Sequence, residues 1–131
     1  VEVASSEAIE TQAVINPAAL AELEQIASGN TFMPELINGF VQDGEALLRQ
    51  MEAAVAAEQY ETLRDLVHAM KGSAVTLGAE QLCRTCASVN AQTTSELQAS
   101  GTRILKVVRE QFQQARASLL DYLKKSQSAA R

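Results

Sequence analysis

Leu63-Arg64-Asp65-Leu66-Val67-His68-Ala69-Met70-Lys71-Gly72-Ser73-Ala74, followed by Leu77-Gly78, decides how the chain is read. At about 100° per residue of α-helix, Leu63, Leu66, Val67, Met70, Ala74 and Leu77 share an arc of roughly 100°, one apolar stripe. Measured from Leu63, His68 lies near ~140°, Arg64 near ~100°, Lys71 near ~80°, Val75 near ~120° and Gly72 near ~180°, so the imidazole is expected to point outward. His68 is the only histidine of the chain. A lone helical histidine is more often an ordinary surface or core residue. Here the core role fails on geometry, and the neighbours on the outward face are a cation and a residue without a side chain. Glycine inside a helix is unfavourable, so Gly72 needs a reason, and clearance for an approaching group supplies one. Neutral imidazole offers a lone pair near pH 7, and a phosphoryl transition state needs positioning and charge stabilisation above all. His68 therefore reads as a phosphoryl acceptor, with Lys71 one turn on placed to meet phosphoryl oxygens.

Working outward, Asn16-Pro17 is expected to open a first helix, Asn capping it and Pro standing at its first position, with Gly29 closing it. Thr31 can cap a second helix in which Leu36, Phe40, Leu47, Met51 and Ala54 recur at helical spacing. Gly39 and Gly44 interrupt that helix without ending it, and close approach of a neighbouring helix is the expected reason for either. The His68 helix is expected from about Gln59 to Leu77, with Gly78 as its stop. Leu82, Cys86 and Val89 begin a fourth stripe, which weakens in the polar stretch after Val89. Gly101-Thr102 is read as a turn and a new cap. Leu105, Val108, Phe112, Ala115, Leu119 and Tyr122 then alternate three and four apart, a seam suited to antiparallel packing. Short turns between long helices give an all-α, antiparallel up-and-down four-helix bundle.

Composition agrees with that class. The chain has 131 residues, enough for one domain, and 47% are hydrophobic while only 4% are aromatic, which favours helix formers over strand formers. The net charge is −5 and the basic residues are dispersed, which excludes nucleic acid as a partner. No apolar run approaches the ~20 residues of a membrane span, and no secretory signal is evident, so no membrane contact by this domain is expected and a cytoplasmic location is. The first residue is Val1 and residues 1–14 are small, polar and acidic, the composition of a linker stub. The bundle is expected over residues 15–125, with a frayed tail at 126–131.

Cys83 and Cys86 have the spacing of a redox pair. No strand pattern precedes them, and zinc would need more ligands than two cysteines and one distant histidine, so packing is the expected role. No Gly-rich phosphate loop is present, so ATP-dependent kinase activity of the domain itself is not expected.

His68-Ala69-Met70-Lys71-Gly72-Ser73-Ala74, with Leu77-Gly78-Ala79 and Leu82, resembles the signature of histidine-containing phosphotransfer (HPt) domains. The similarity extends to Phe40-Val41-Gln42-Asp43 and to Asn16-Pro17, and departs at Thr85, commonly apolar in the family, and Asn90, often acidic. The resemblance implies a four-helix bundle with an additional short N-terminal helix, and a phosphorelay carrier that accepts a phosphoryl group on His68 from a receiver aspartate and passes it to another. By motif match His68 would be the phosphoryl acceptor, Lys71 its charge-stabilising companion and Gly72 the clearance position. No cofactor would be bound by the domain itself; Mg²⁺ is expected in the partner receiver. The partners implied are response-regulator receiver domains, with the isolated module monomeric. The parent would be a hybrid sensor kinase carrying this module at its C-terminus, which would tether it to the inner membrane. The competing reading is a non-catalytic helical scaffold or docking module.

Overall fold

The computed structural model describes residues 14–26 and 31–129. Among the described residues five helices follow one another: α1 Pro17–Ile26, α2 Phe32–Ala56, α3 Tyr60–Thr76, α4 Glu80–Asn90 and α5 Thr94–Ala129. α2 packs on α3 and α5, α3 on α4, and α4 on α5, which closes an antiparallel four-helix ring. α1 is the additional short helix expected at the N-terminal side. Among the described residues no helix is long and apolar enough to cross a membrane.

The expected stripes line the interior. Leu63, Val67, Met70, Ala74 and Leu77 of the α3 region are buried, as are Leu82, Cys86 and Val89 of α4 and Val108, Phe112, Ala115 and Leu119 of α5. Each fully buried Leu or Phe removes enough apolar surface from water to contribute roughly 1.5–3 kcal/mol before entropy is counted. In α2 the inner face also takes Met33, Ile37 and Leu48, while Leu36 and Leu47 of the expected stripe are half-buried at its edge.

Two helix junctions share one hydrogen-bonding pattern. After α3, the Ala79 amide donates to the Ala74 carbonyl (2.8 Å) and the Gly78 amide to the Val75 carbonyl (3.2 Å), with Gly78 at φ +71. Gly78 therefore stops the helix as expected. After α2, the Gln59 amide donates to Ala54 (2.8 Å) and the Glu58 amide to Val55 (3.1 Å), but the left-handed position is held by Glu58 at φ 56, where a Cβ is unfavourable.

α1 is fastened by its cap. The Asn16 side-chain oxygen accepts from the Ala18 amide (2.9 Å), its side-chain amide donates to Glu80 (2.8 Å), and its backbone amide donates to the Gly78 carbonyl (2.7 Å). At the other end the Tyr122 hydroxyl bonds Glu24 and, with burial the larger cause, its pKa is pushed up to about 12. Thr31 stands at the N-cap of α2 but its side chain makes no capping bond. Gly29 lies outside the described residues.

The main correction concerns the last helix. Gly101-Thr102 is not a turn: α5 begins at Thr94 and runs straight through both residues. Thr93 and Glu96 form a reciprocal capping box, with the Glu96 amide donating to the Thr93 hydroxyl oxygen (3.2 Å) and the Thr93 amide donating to the Glu96 carboxylate (2.8 Å). Those bonds, the backbone one first, hold the Glu96 carboxyl below its usual range. Gly101 is buried against α2, where an added Cβ would lie 3.2 Å from Val55 Cγ1, so the residue serves helix contact.

Candidate functional site

The α3 stripe fixes which side chains face outward. With Leu63, Val67, Met70 and Ala74 turned into the bundle, His68 is exposed, Lys71 is half-buried beside it, and Gly72 is exposed one turn beyond. Val75 continues the same line at 59% exposure, a large apolar residue left on the surface. All three candidate residues thus meet on one outer strip of α3, as the helical angles require.

The strip has two unlike flanks. Toward α4 lie Arg64 and Lys71. The Arg64 guanidinium donates to the Gln92 carbonyl (2.6 Å) and to the Thr94 hydroxyl oxygen (3.4 Å), and pairs with Glu61, so it ties the α4–α5 corner to α3 one turn before His68. Sequence reasoning passed over Arg64, although its position four residues before His68 places it on the same face. Lys71 is near enough to α4 for its ammonium to oppose, as the smallest cause, the rise of the Cys86 thiol pKa.

Toward α2 the surface is open. Among the described residues, a Cβ added on Gly72 would meet no heavy atom within 4 Å, so their packing does not require glycine there. The nearby Thr76 hydroxyl donates to the Gly72 carbonyl (3.2 Å), an ordinary bond back to the preceding turn. Ser73 is half-buried, at the edge of the core.

The cysteines stand apart from this chemistry. Cys86 is fully buried and, through burial first and then neighbouring Cys83, its thiol is pushed up to about 12. A thiol so protonated is a poor nucleophile and a poor metal ligand. Cys83 is half-buried and free. The departures from the family pattern are local to α4: the Thr85 hydroxyl donates to Gln111 of α5, and the buried side-chain oxygen of Asn90 has no hydrogen-bond partner among the described residues.

The family model of the Hpt domain matches residues 35–125. No curated protein matches the chain significantly in sequence. Among solved structures, the chain is similar to the histidine-containing phosphotransfer protein B (HptB) of Pseudomonas aeruginosa, with a TM-score of 0.76 at 24% identity over 86% of this chain and 96% of that one. It is similar also to a putative histidine-containing phosphotransfer protein of rice, with a TM-score of 0.79 at 19% identity over 97% and 93% of the two chains. The maize protein ZmHP2 superposes with a TM-score of 0.73 at 17% identity over 95% and 97%. At these identities the solved structures speak to the fold, and the family match extends over the helices that build the outer strip of α3. The chain belongs to the Hpt domain family, the histidine phosphotransfer modules of phosphorelays.

Proposed function

We propose that His68 is the phosphoryl-carrying residue, that Lys71 stabilises the charge on the phosphoryl oxygens, and that Gly72 keeps the approach to the imidazole clear. The observation that carries this reading is the juxtaposition on one strip of α3 of the sole imidazole, a lysine one turn away, and a glycine over which none of the described residues packs. An imidazole nitrogen attacks the phosphorus of a receiver's aspartyl phosphate. The N–P bond forms as the P–O bond to the carboxylate breaks, the aspartate leaves with its electron pair, and the imidazole proton passes to solvent. The reverse sequence delivers the group to a second receiver aspartate. The barrier is lowered by positioning and by charge, which is what a fixed helix face and Lys71 supply. The receiver brings the Mg²⁺ and the aspartate.

The test is transfer from purified receiver domains phosphorylated on aspartate with acetyl phosphate and Mg²⁺. The wild-type domain is expected to acquire an acid-labile, alkali-stable phosphoryl group on His68, and His68→Gln, which changes an exposed side chain, is expected to fold and stay unlabelled. Incubation with Mg²⁺ and ATP alone is expected to give no phosphoprotein. Labelling of folded His68→Gln would refute the assignment. A wild-type domain that binds receivers but is never labelled would make it a docking module.

A further inference from the structure

Arg64 is held by bonds that leave much of its charge uncompensated. Its guanidinium reaches the Gln92 carbonyl from Nη2 (2.6 Å) and the Thr94 hydroxyl oxygen from Nη1 (3.4 Å), and Nη1 also pairs with Glu61. The first two acceptors are neutral and the second is distant. The third is a carboxylate three residues back on the same helix, with its side chain 80% exposed, and an ion pair so solvated contributes little. None of these bonds uses Nε. The Arg64 side chain is itself only 21% exposed, so its cation stands fixed at the edge of α3. The corner it holds is otherwise self-sufficient. The Gln92 amide donates to the Val89 carbonyl (3.1 Å), the Ser100 hydroxyl to the Gln92 side-chain oxygen (3.4 Å), and the Thr93–Glu96 capping box closes the start of α5.

Resting on His68 as the acceptor, we infer that Arg64 is a latch released by phosphorylation. In the unmodified domain it ties the α4–α5 corner to α3; once His68 carries a phosphoryl group, the guanidinium pairs with the phosphoryl oxygens and lets the corner go. Reach permits the exchange. Residues four apart on a helix have Cβ atoms ~5–6 Å from each other, and helical side chains lean toward the N-terminus, which directs the imidazole of His68 over the turn that carries Arg64. Angle agrees, since Arg64 and Lys71 lie within ~20° of each other around α3 and on the same side of His68, one a turn before it and one a turn after. Exposed Asp65, near ~200° from Leu63, is on the other side, and its repulsion turns a phosphoryl group toward the cations. Strength decides the direction. Arginine–phosphate bonds are charge-assisted on both partners, frequently paired, and roughly twice as strong as bonds to neutral acceptors, so the phosphoryl group outcompetes a carbonyl, a hydroxyl and a solvated carboxylate. Because the capping box and the Gln92 bonds remain, the release loosens the corner without unfolding α5. The state of His68 is thereby written into the mobility of Gln92, Thr93 and Thr94, on a different pair of helices from the acceptor.

The domain is phosphorylated with phosphoramidate, which needs no receiver: as the imidazole forms its N–P bond, the P–N bond to ammonia breaks, ammonia leaves with the electron pair, and the imidazole proton passes to solvent. NMR then follows the Arg64 Nε–Hε resonance and hydrogen exchange of the Gln92, Thr93 and Thr94 amides, with and without the phosphoryl group, in wild type, Arg64→Ala and His68→Gln. In wild type, phosphorylation is expected to shift the Arg64 resonance and to speed exchange of the three amides by about fivefold or more, the loss of roughly one hydrogen bond. Arg64→Ala should exchange them at the faster rate from the start and respond no further, and His68→Gln treated alike should show neither change. A phosphorylated wild-type domain whose Arg64 resonance and corner amides match the unmodified one would overturn the latch. So would equal acceleration on phosphorylation of Arg64→Ala, which would trace the loosening to another contact. Should Arg64→Ala fail to fold, the two wild-type measurements decide alone. Failure of phosphoramidate to label wild-type His68 would instead remove the acceptor itself, and the latch with it.

Discussion

Gly44 in α2 and Gly72 in α3 interrupt their helices at the same intrinsic cost, yet the space beside them is treated in opposite ways. Gly44 is buried, and a Cβ there would lie 2.1 Å from Cε1 and 2.5 Å from Cζ of Phe112. The ring occupies the missing side chain's place and also packs against Phe40, with centroids 5.3 Å apart. Gly72 is exposed, and among the described residues an added Cβ there would meet no heavy atom within 4 Å. The first glycine is explained by the fold; the described residues give the second no packing reason, which is why clearance for a partner is proposed for it. A glycine in a helix interior is thus informative about function once internal packing has been shown not to need it.

The comparison breaks most visibly at Gly44. Gly44→Ala is expected to destabilise the domain by about 3 kcal/mol, because Phe112 is fully buried and can yield only by disturbing Phe40 and its other neighbours. Thermal or urea unfolding measures this, and Phe112→Leu in the Gly44→Ala background should recover part of the loss. Additive losses would mean that the two positions are not in contact.

A smaller effect is expected at the helix stops. Gly78→Ala should cost about 2 kcal/mol, since φ is +71 and the new methyl would lie 2.7 Å from Ala19 Cβ. Glu58→Gly, at the equivalent turn after α2, should instead stabilise by about 0.5–1 kcal/mol by relieving a left-handed non-glycine residue. If the two substitutions shift the unfolding midpoint in the same direction, the turn geometry given for one of them is wrong.

Smallest in stability, though not in rate, is Lys71→Ala. Removing an ammonium beside the acceptor should change unfolding by under about 1 kcal/mol while slowing transfer or shortening the life of phosphohistidine. Equal transfer kinetics for wild type and variant would take Lys71 out of the site.

The α3 region was legible because one short segment carries both a clean apolar period and its exceptions. Leu63, Val67, Met70 and Ala74 determine the inner face, and His68, Lys71, Gly72 and Val75 follow as the outer one. The α4–α5 boundary was misplaced because Gly101-Thr102 imitates a turn, while the stronger signal, Thr93 with Glu96 three residues on, sits in a polar stretch with little periodicity. Continuity through Gly101 depends on its contact with Val55 of α2, which no local pattern reports. The α2 glycines were half legible. Gly44 stands four residues after Phe40 on the buried stripe, so internal packing could be foreseen. Gly39 stands off it, and that an added Cβ there would meet no heavy atom of the described residues within 4 Å required knowing where every other helix lies. The tie that Arg64 makes to the α4–α5 corner is not legible locally, because there its partners are a carbonyl and a hydroxyl remote in sequence, in addition to nearby Glu61.

The claim that the space over Gly72 serves the partner is tested most directly by measuring stability and receiver transfer on one protein, Gly72→Gln. An exposed glutamine in place of glycine should leave the unfolding midpoint at or above that of wild type, because helix propensity improves and nothing is struck. Transfer from the charged receiver to His68 should fall sharply, since the added side chain stands where the receiver must bring its aspartyl phosphate within bonding reach of the imidazole. A Gly72→Gln domain as stable as wild type that accepts phosphate at the wild-type rate would contradict the account.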